Sequence, residues 1–234
     1  MKTVFLDRDG VICYNRIDHV KSWAEFRFLP GALDALRALA EGGCRVVVVT
    51  NQAMISRGQL TVAELDEIHC RMLGAVAAAG GRIDLVLYCP HRPDEDCACR
   101  KPRPGLLWQA ARAYPIDWDQ AYLVGDHWTD VQAGLNAGCR TALVLTGRGL
   151  RAAFATETRK QRGYLVSRSL KHTVKHILGA GEPWPYGLVR GAWGGARRVV
   201  RRSLDLSRPP ASACTAGDAQ GERPGVRSSR HLWS

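Results

Sequence analysis

Short apolar runs alternate, along the first 150 residues, with longer segments whose apolar positions recur at helical spacing. The runs are rich in valine and leucine and are typical of strands buried on both faces of a parallel sheet. They predict five strands, at 4–6, 45–50, 84–88, 121–124 and 141–145. The segments between them predict helices at 32–39, 61–79, 107–114 and 131–137, the second of which begins with a capping box formed by Thr61 and Glu64. This alternation predicts an α/β fold with a doubly wound parallel sheet.

Polar residues follow most of the predicted strands. Ligands of such sheets bind beyond the carboxyl ends of the strands. Those ends lead, in chain order, into Asp7 and Asp9, Thr50 and Asn51, a cluster of cysteine and histidine residues, Gly125 and Asp126, and Thr146 and Gly147. We therefore expect a functional site at this edge of the sheet.

Asp7 and Asp9 stand two residues apart in an extended or turning segment, so their side chains can face the same small volume. Two carboxylates repel each other there unless a cation or a proton lies between them. Mg²⁺ prefers oxygen ligands, and Asp126 could complete the set. Asp130 could cap the following helix or hold the site residues in place. Alternatively, Asp7 and Asp9 are solvated acids at an ordinary turn.

Thr50 and Asn51 end the second predicted strand, where a hydroxyl and a backbone N–H can donate hydrogen bonds to a phosphoryl oxygen. The alternative is a simple helix or turn cap. Arg100 and Lys101 supply fixed positive charge, which suits the binding of a phosphate and the stabilisation of a phosphoryl group in transfer.

The cysteine and histidine cluster has the spacing C-x-H-x5-C-x-C, with Cys89, His91, Cys97 and Cys99 as its members. Three thiolates and one imidazole form a closed tetrahedral set, as in structural zinc sites. The loop contains prolines and lacks apolar periodicity, so a metal would anchor a segment that has no core of its own. We expect Zn²⁺ here in a structural role.

The positive charge of the chain is concentrated at its end. Residues 1–150 carry 17 basic and 17 acidic side chains, whereas residues 151–234 carry 16 basic and 5 acidic ones, which account for the net charge of +11. We predict an amphipathic helix within 151–180 and a low-complexity, largely disordered basic tail at 181–234. The tail could attract nucleic acid or anionic lipid, dock on a partner, or be a non-native extension, whereas the first 150 residues are not expected to bind nucleic acid.

No apolar run reaches the length of a membrane span, and no export signal precedes the first strand. We therefore expect a cytoplasmic protein, and we expect a monomer.

Four motifs resemble those of the haloacid dehalogenase superfamily and occur in the same order along the chain. The branch they resemble is the capless, zinc-containing one. The motifs are Asp7-Arg8-Asp9-Gly10-Val11, Thr50-Asn51-Gln52 with Arg57-Gly58, the cysteine cluster running into Arg100-Lys101-Pro102, and Val124-Gly125-Asp126 with Asp130. The resemblance covers residues 1–150 and implies a Mg²⁺-dependent phosphatase domain. The branch contains heptose bisphosphate phosphatases and histidinol-phosphate phosphatases.

The resemblance also implies a role for each site residue. Asp7 would be the nucleophile that forms an aspartyl-phosphate, and Asp9 would be the general acid and base. Mg²⁺ would be bound by Asp7, the backbone carbonyl of Asp9, and Asp126. The remaining roles are phosphoryl binding by Thr50 and Asn51, charge balance by Lys101, and substrate contacts by Arg57, Arg100 and His127.

The substrate is open at this point. Arg57-Gly58 and the Pro102-x-Pro104-Gly105 run resemble the heptose 1,7-bisphosphate enzymes, whereas the short spacing between His91 and Cys97 resembles the histidinol-phosphate enzymes. A sugar phosphate is favoured, with histidinol phosphate or another small phosphomonoester as the alternative. A hypothesis of another class is an inactive adaptor that binds nucleic acid or membrane through its tail, but such a module would not need Asp7, Asp9, Lys101 and Asp126.

Overall fold

The computed structural model describes residues 1–161 and 163–179. The strands are β1 (Thr3–Leu6), β2 (Arg45–Asn51), β3 (Leu85–Cys89), β4 (Ala121–Gly125), β5 (Arg140–Val144) and β6 (Tyr164–Ser167). The helices are α1 (Ala32–Glu41), α2 (Val62–Ala78), α3 (Gly105–Ala113), α4 (Trp128–Ala137), α5 (Gly149–Phe154), α6 (Thr156–Lys160) and α7 (Leu170–Ile177). The predicted capping box of α2 is present, with Thr61 accepting from the Glu64 backbone.

All the strands form one parallel sheet in the order β3-β2-β1-β4-β5-β6. The chain starts in the middle of the sheet, runs outward through β2 and β3, and returns to the other side of β1 for β4. The carboxyl ends of β1 and β4 therefore lie next to each other, as Leu6 and Val124 are paired in register. This topological switch point is where ligands bind in doubly wound sheets.

Side chains from the strands alternate between two apolar layers. On β1, Val4 and Leu6 pack in a core with α1, α2 and α7, whereas Phe5 faces a second core with α3 and α4. Because both faces of the sheet are covered, the interior positions of the central strands, such as Val4–Leu6 and Val46–Val49, are apolar on both sides. The predicted fold class, a doubly wound α/β sheet, is confirmed.

The prediction of five strands is wrong, because the sheet contains six strands within the described part of the chain. A sixth strand, Tyr164–Ser167, pairs with β5, and the predicted amphipathic helix is confined to α7. Within it Leu170, Val174 and Ile177 are buried, while Val166 belongs to the strand. The apolar residues of β6 lie directly before α7, so that Val166 could be counted as part of the apolar side of that helix, and pairing with β5 decides the conformation of β6.

Within residues 1–161 and 163–179, no helix is long and apolar enough to cross a membrane. The predicted basic tail at 181–234 lies outside the described residues.

Candidate active site

A cavity of about 680 Å³ opens at the carboxyl edge of the sheet. The residues predicted from the strand ends converge on it. Its lining includes Asp7, Asp9, Thr50, Asn51, Arg57, Arg100, Lys101, Asp126, His127 and Asp130. Cys97 also lines the cavity, so the cysteine loop forms part of its wall.

Three carboxylates form the floor of the site. Asp7 follows β1, whereas Asp126 and Asp130 follow β4, and all three side chains offer oxygens within 4.8 Å of one another. Burial raises the pKa of Asp7 to about 8 against the opposing charge of Lys101, and the other two carboxylates add to the rise. Burial, followed by the charge of Asp130, raises the pKa of Asp126 to about 7. A buried set of hard oxygen donors, in which the ionised forms of Asp7 and Asp126 are disfavoured, fits a divalent cation such as Mg²⁺.

Two glycines allow the carboxylates to approach the backbone. Gly10 has φ +89°, and a Cβ on it would overlap the Asp126 carboxylate. A Cβ on Gly125 would overlap the side chain of Asp130. Any larger residue at either position would therefore push an acid out of the cluster.

Lys101 is the buried cation of the site, with 3% of its surface exposed. Its Nζ donates to Asp7 Oδ1 at 2.8 Å and to the Val49 carbonyl at 2.8 Å, and lies 2.5 Å from Asp130 Oδ1. Burial opposes its charge, but the two carboxylates outweigh burial and raise the pKa of Lys101. The ammonium therefore stays charged and links Asp7 to Asp130.

Asp130 also joins the site to α4. Its Oδ2 accepts from the His127 backbone N–H at 3.0 Å, and the His127 ring accepts from Thr129. His127 is thus the N-cap of α4 while its side chain lines the cavity. This geometry fits the substrate contact that the family resemblance implies for His127, and it equally fits an ordinary turn residue.

The Asp9 carboxylate lies outside the cluster of three acids and is held in place by Arg8 and Gln52. Arg8 Nη2 donates to Asp9 Oδ2 at 2.9 Å, and Gln52 Nε2 donates to the same oxygen at 2.9 Å. Burial opposes the ionised form, yet Arg8 and these hydrogen bonds lower the pKa of Asp9. The side chain is still 20% exposed and lines the cavity, so one face of the carboxylate is open to a ligand.

Arg8, Gln52 and His69 are site-related residues that sequence reasoning missed. Arg8 is fully buried, and its Nη1 lies 3.2 Å from His69 Nε2. Arg8 and Gln52 stand inside recognised motifs, so their positions were a usable signal. No such signal in the sequence marked His69, because a single histidine among apolar residues of a helix resembles an ordinary core residue.

The remaining predicted residues surround the floor. Asn51 and the Lys101 backbone exchange two hydrogen bonds of 3.2 Å, which join the end of β2 to the lysine loop. Thr50 Oγ1 accepts from Gln52 at 2.9 Å. Arg100 donates to the His91 carbonyl at 2.9 Å, and Arg57 lies on the cavity wall.

The cysteine and histidine cluster is assembled as predicted. Cys97 Sγ lies 3.5 Å from the sulfurs of Cys89 and Cys99, and His91 Nδ1 lies 3.3 Å from Cys99 Sγ. These separations are too long for disulfides, whose S–S bonds are about 2.05 Å. With Zn–S bonds of about 2.3 Å, a tetrahedral site has ligand separations of roughly 3.8 Å. The donor set therefore fits Zn²⁺.

Comparisons with known proteins agree with this geometry. A family model described as haloacid dehalogenase-like hydrolase matches residues 13–134, and a second model of HAD type matches 98–173. D-glycero-beta-D-manno-heptose-1,7-bisphosphate 7-phosphatase of Pseudomonas putida is 43% identical over 151 residues, which are 64% of this chain and 86% of that protein. The enzyme of the same name from Bordetella bronchiseptica is 44% identical over 64% of this chain and 83% of its own.

Solved structures are similar as well. The D,D-heptose 1,7-bisphosphate phosphatase of B. bronchiseptica, complexed with magnesium and phosphate, has a TM-score of 0.72 and 39% identity. The match covers 76% of this chain and 99% of that one. The corresponding phosphatase from Burkholderia thailandensis has a TM-score of 0.60 and 36% identity. The chain therefore belongs to the haloacid dehalogenase-like hydrolase family.

Proposed function

We propose that this protein is a Mg²⁺-dependent phosphoric monoester hydrolase that removes the 7-phosphate of D-glycero-D-manno-heptose 1,7-bisphosphate. The observation that carries the proposal is the convergence of Asp7, Lys101 and Asp126 in one cavity. The identity of 40% or more with several enzymes of that name supports the choice of substrate.

In this proposal Asp7 is the nucleophile. One of its oxygens attacks the phosphorus atom and the bond from phosphorus to the sugar oxygen breaks. The negative charge of the bound phosphate raises the proton affinity of the neighbouring Asp9, which takes up a proton on substrate binding and gives it to the leaving oxygen. Water then attacks the phosphorus of the aspartyl-phosphate, Asp9 takes the proton of the water, and inorganic phosphate leaves with Asp7 restored. The covalent intermediate divides one displacement into two easier steps.

Other residues hold the reacting groups. Lys101, which contacts Asp7 at 2.8 Å, balances negative charge between the nucleophile and the phosphoryl group. Thr50 and Asn51 bind phosphoryl oxygens, while Arg57, Arg100 and His127 on the cavity wall contact the rest of the substrate. Asp130 contacts both Lys101 and the start of α4, and so fixes the position of the lysine relative to the helix.

Two metal ions complete the proposal. Asp7, Asp126 and the Asp9 carbonyl would hold Mg²⁺, which supplies charge neutralisation at the phosphoryl oxygens when bound. Cys89, His91, Cys97 and Cys99 would hold a structural Zn²⁺, since all four ligands of a tetrahedral site come from the protein. The zinc loop would then shape the cavity wall to which Cys97 contributes.

Histidinol phosphate is the second candidate substrate, because only five residues separate His91 from Cys97. The two candidates differ in charge, since the bisphosphate carries a second phosphate and histidinol phosphate carries an amine. The arginines on the cavity wall, Arg57, Arg100, Arg103 and Arg148, favour the more anionic substrate.

Purified protein supplied with Mg²⁺ and assayed for phosphate release decides between them. We expect kcat/KM for the heptose bisphosphate to exceed that for histidinol phosphate by at least about 100-fold, the effect of roughly 3 kcal/mol of charge complementarity. Asp7→Asn is the control that attributes the release to this site. Turnover of histidinol phosphate at the higher rate would reverse the assignment, and turnover of neither would refute it.

A further inference from the structure

A buried arginine lies directly behind the proposed general acid. Arg8 is fully buried, although an arginine is seldom found so unless it is paired. Its Nε and Nη2 both donate to Asp9, at 3.3 Å and 2.9 Å. A planar guanidinium that contacts a carboxylate through two nitrogens restricts both the position and the orientation of that carboxylate.

The remaining nitrogen of the Arg8 guanidinium contacts His69, and this contact fixes the orientation of the guanidinium. Arg8 Nη1 lies 3.2 Å from His69 Nε2 of α2, which is 2% exposed. Arginine has no acceptor, so the histidine must accept through an unprotonated Nε2. Burial and the neighbouring Arg8 charge lower the pKa of His69 to about 3, which keeps the ring neutral and able to accept.

The opposite side of the Asp9 carboxylate faces the cavity. Gln52 supports Oδ2 from a second direction at 2.9 Å, and Cys13 Sγ lies 3.4 Å from Oδ1. The carboxylate is therefore held by groups from the segments that follow β1 and β2, while it stays accessible to a leaving oxygen. Such restraint is what proton transfer in a transition state requires.

We propose that Arg8 and His69 are positioning residues for proton transfer in this enzyme: His69 orients the Arg8 guanidinium, and Arg8 holds the Asp9 carboxylate where it reaches the leaving oxygen. This inference rests on the proposed function, with Asp9 as the general acid. It assigns a role in the reaction to α2, which contributes no residue to the cavity lining.

Loss of this positioning affects substrates unequally. A sugar alkoxide is a poor leaving group and needs the proton, whereas p-nitrophenolate leaves with little protonation. For both esters kcat/KM reports the steps up to the first irreversible one, the transfer of the phosphoryl group to Asp7, so water attack does not mask the difference. The ratio of kcat/KM for the heptose bisphosphate to kcat/KM for p-nitrophenyl phosphate therefore measures proton donation by Asp9.

The experiment compares His69→Leu with His69→Gln in the full chain. Leucine removes the acceptor, and we expect the ratio to fall at least about tenfold, which is part of the 10²–10⁴ that general acid catalysis contributes. Glutamine can place an acceptor near the position of Nε2 and should restore most of the ratio. His69→Asn, whose shorter side chain does not reach Arg8, makes the same test with a polar residue if the leucine variant does not fold.

Met72→Ala serves as the control, because Met72 is a fully buried residue of the same helix with no polar contact to Arg8. It should lower the melting temperature and leave the ratio unchanged. Equal losses on both esters in His69→Leu would show that His69 is only structural and would overturn the inference, while the proposed function would stand. A wild-type protein that cleaves neither ester would instead refute the proposed function.

Discussion

Replacement of Lys101 by methionine tests the electrostatics of the site most directly. Methionine keeps most of the apolar volume of lysine but removes the charge that lies 2.8 Å from Asp7 and 2.5 Å from Asp130. Both carboxylates are then buried near Asp126 without their cation. Removal of one partner of a buried ion pair costs about 3–5 kcal/mol. Because the pKa of Asp7 is already raised to about 8, this residue can take up a proton, and we expect the lower end of that range.

The surface provides a matched control in Lys171→Met. Lys171 contacts Asp34 at 3.0 Å, but both side chains are about half exposed. Exposed pairs contribute about 0–1 kcal/mol. For a domain of this size, 1 kcal/mol corresponds to a shift of roughly 2–4 °C in the melting temperature. We therefore expect Lys101→Met to melt roughly 6–12 °C lower than the wild type, and the control to melt less than about 4 °C lower.

The assays are thermal unfolding followed by circular dichroism at pH 7 and phosphate release with excess Mg²⁺. We expect Lys101→Met to reduce kcat by roughly 10²–10³, the effect of removing one charge-stabilising donor. The control should retain wild-type kcat. Equal melting temperatures for the two variants, or a loss in kcat below about tenfold, would refute the role of Lys101 as the counter-charge of Asp7.

Four further predictions address separate features. Asp7→Asn should lower turnover by at least about 10⁴, while its metal-free melting temperature equals or exceeds that of the wild type, because a buried charge that burial disfavours is removed; a clear fall in melting temperature would contradict this. The pKa of His69 is lowered to about 3, so its contribution to stability is complete above its ordinary value of 6.5 and is lost as the pH falls from there toward 3. Urea unfolding should therefore show that His69→Gln loses less stability than the wild type between pH 6.5 and pH 4, and parallel curves would argue against it. Cys97→Ser should lose bound zinc in elemental analysis, whereas Cys139→Ala, a buried cysteine outside the cluster, should retain it; retention by both variants would exclude the site. Truncation after residue 180 should preserve phosphatase activity, whereas truncation after residue 150 removes β6 and α7 and should prevent cooperative unfolding; an active 150-residue protein would show that these elements are dispensable.

The sequence by itself determined the central sheet and the chemistry at its edge. Apolar runs such as 46–49 can satisfy their hydrogen bonds and their burial together only as interior strands, so five of the six strands of the described residues were readable. Polar residues directly after these strands had to share one edge, because parallel strands point the same way. For this reason Asp7 and Asp126, which are distant in the chain, could be predicted to meet, whereas the position of Lys101 beside Asp7 was implied only by the family resemblance.

The cysteine cluster was equally readable, because its four ligands lie within eleven consecutive residues and their types alone select a metal. Tertiary structure decided what depends on neighbours that are remote in the chain. β6 is a strand because it pairs with the edge of β5, whereas in the sequence its apolar residues continue into the helical spacing of α7. Helical periodicity places His69 on the buried side of α2, but only the packing of α2 against one face of the sheet brings its ring to Arg8.

The tertiary structure also decided the direction in which each side chain points. The motif places Arg8 between two aspartates, yet burial behind the site and the acceptor on α2 turn its guanidinium toward Asp9. Spacing along a chain fixes which residues are near in sequence and which strand ends are shared. Burial determines which partner each charged group contacts, because an unpaired charge is costly only where the completed fold has excluded water.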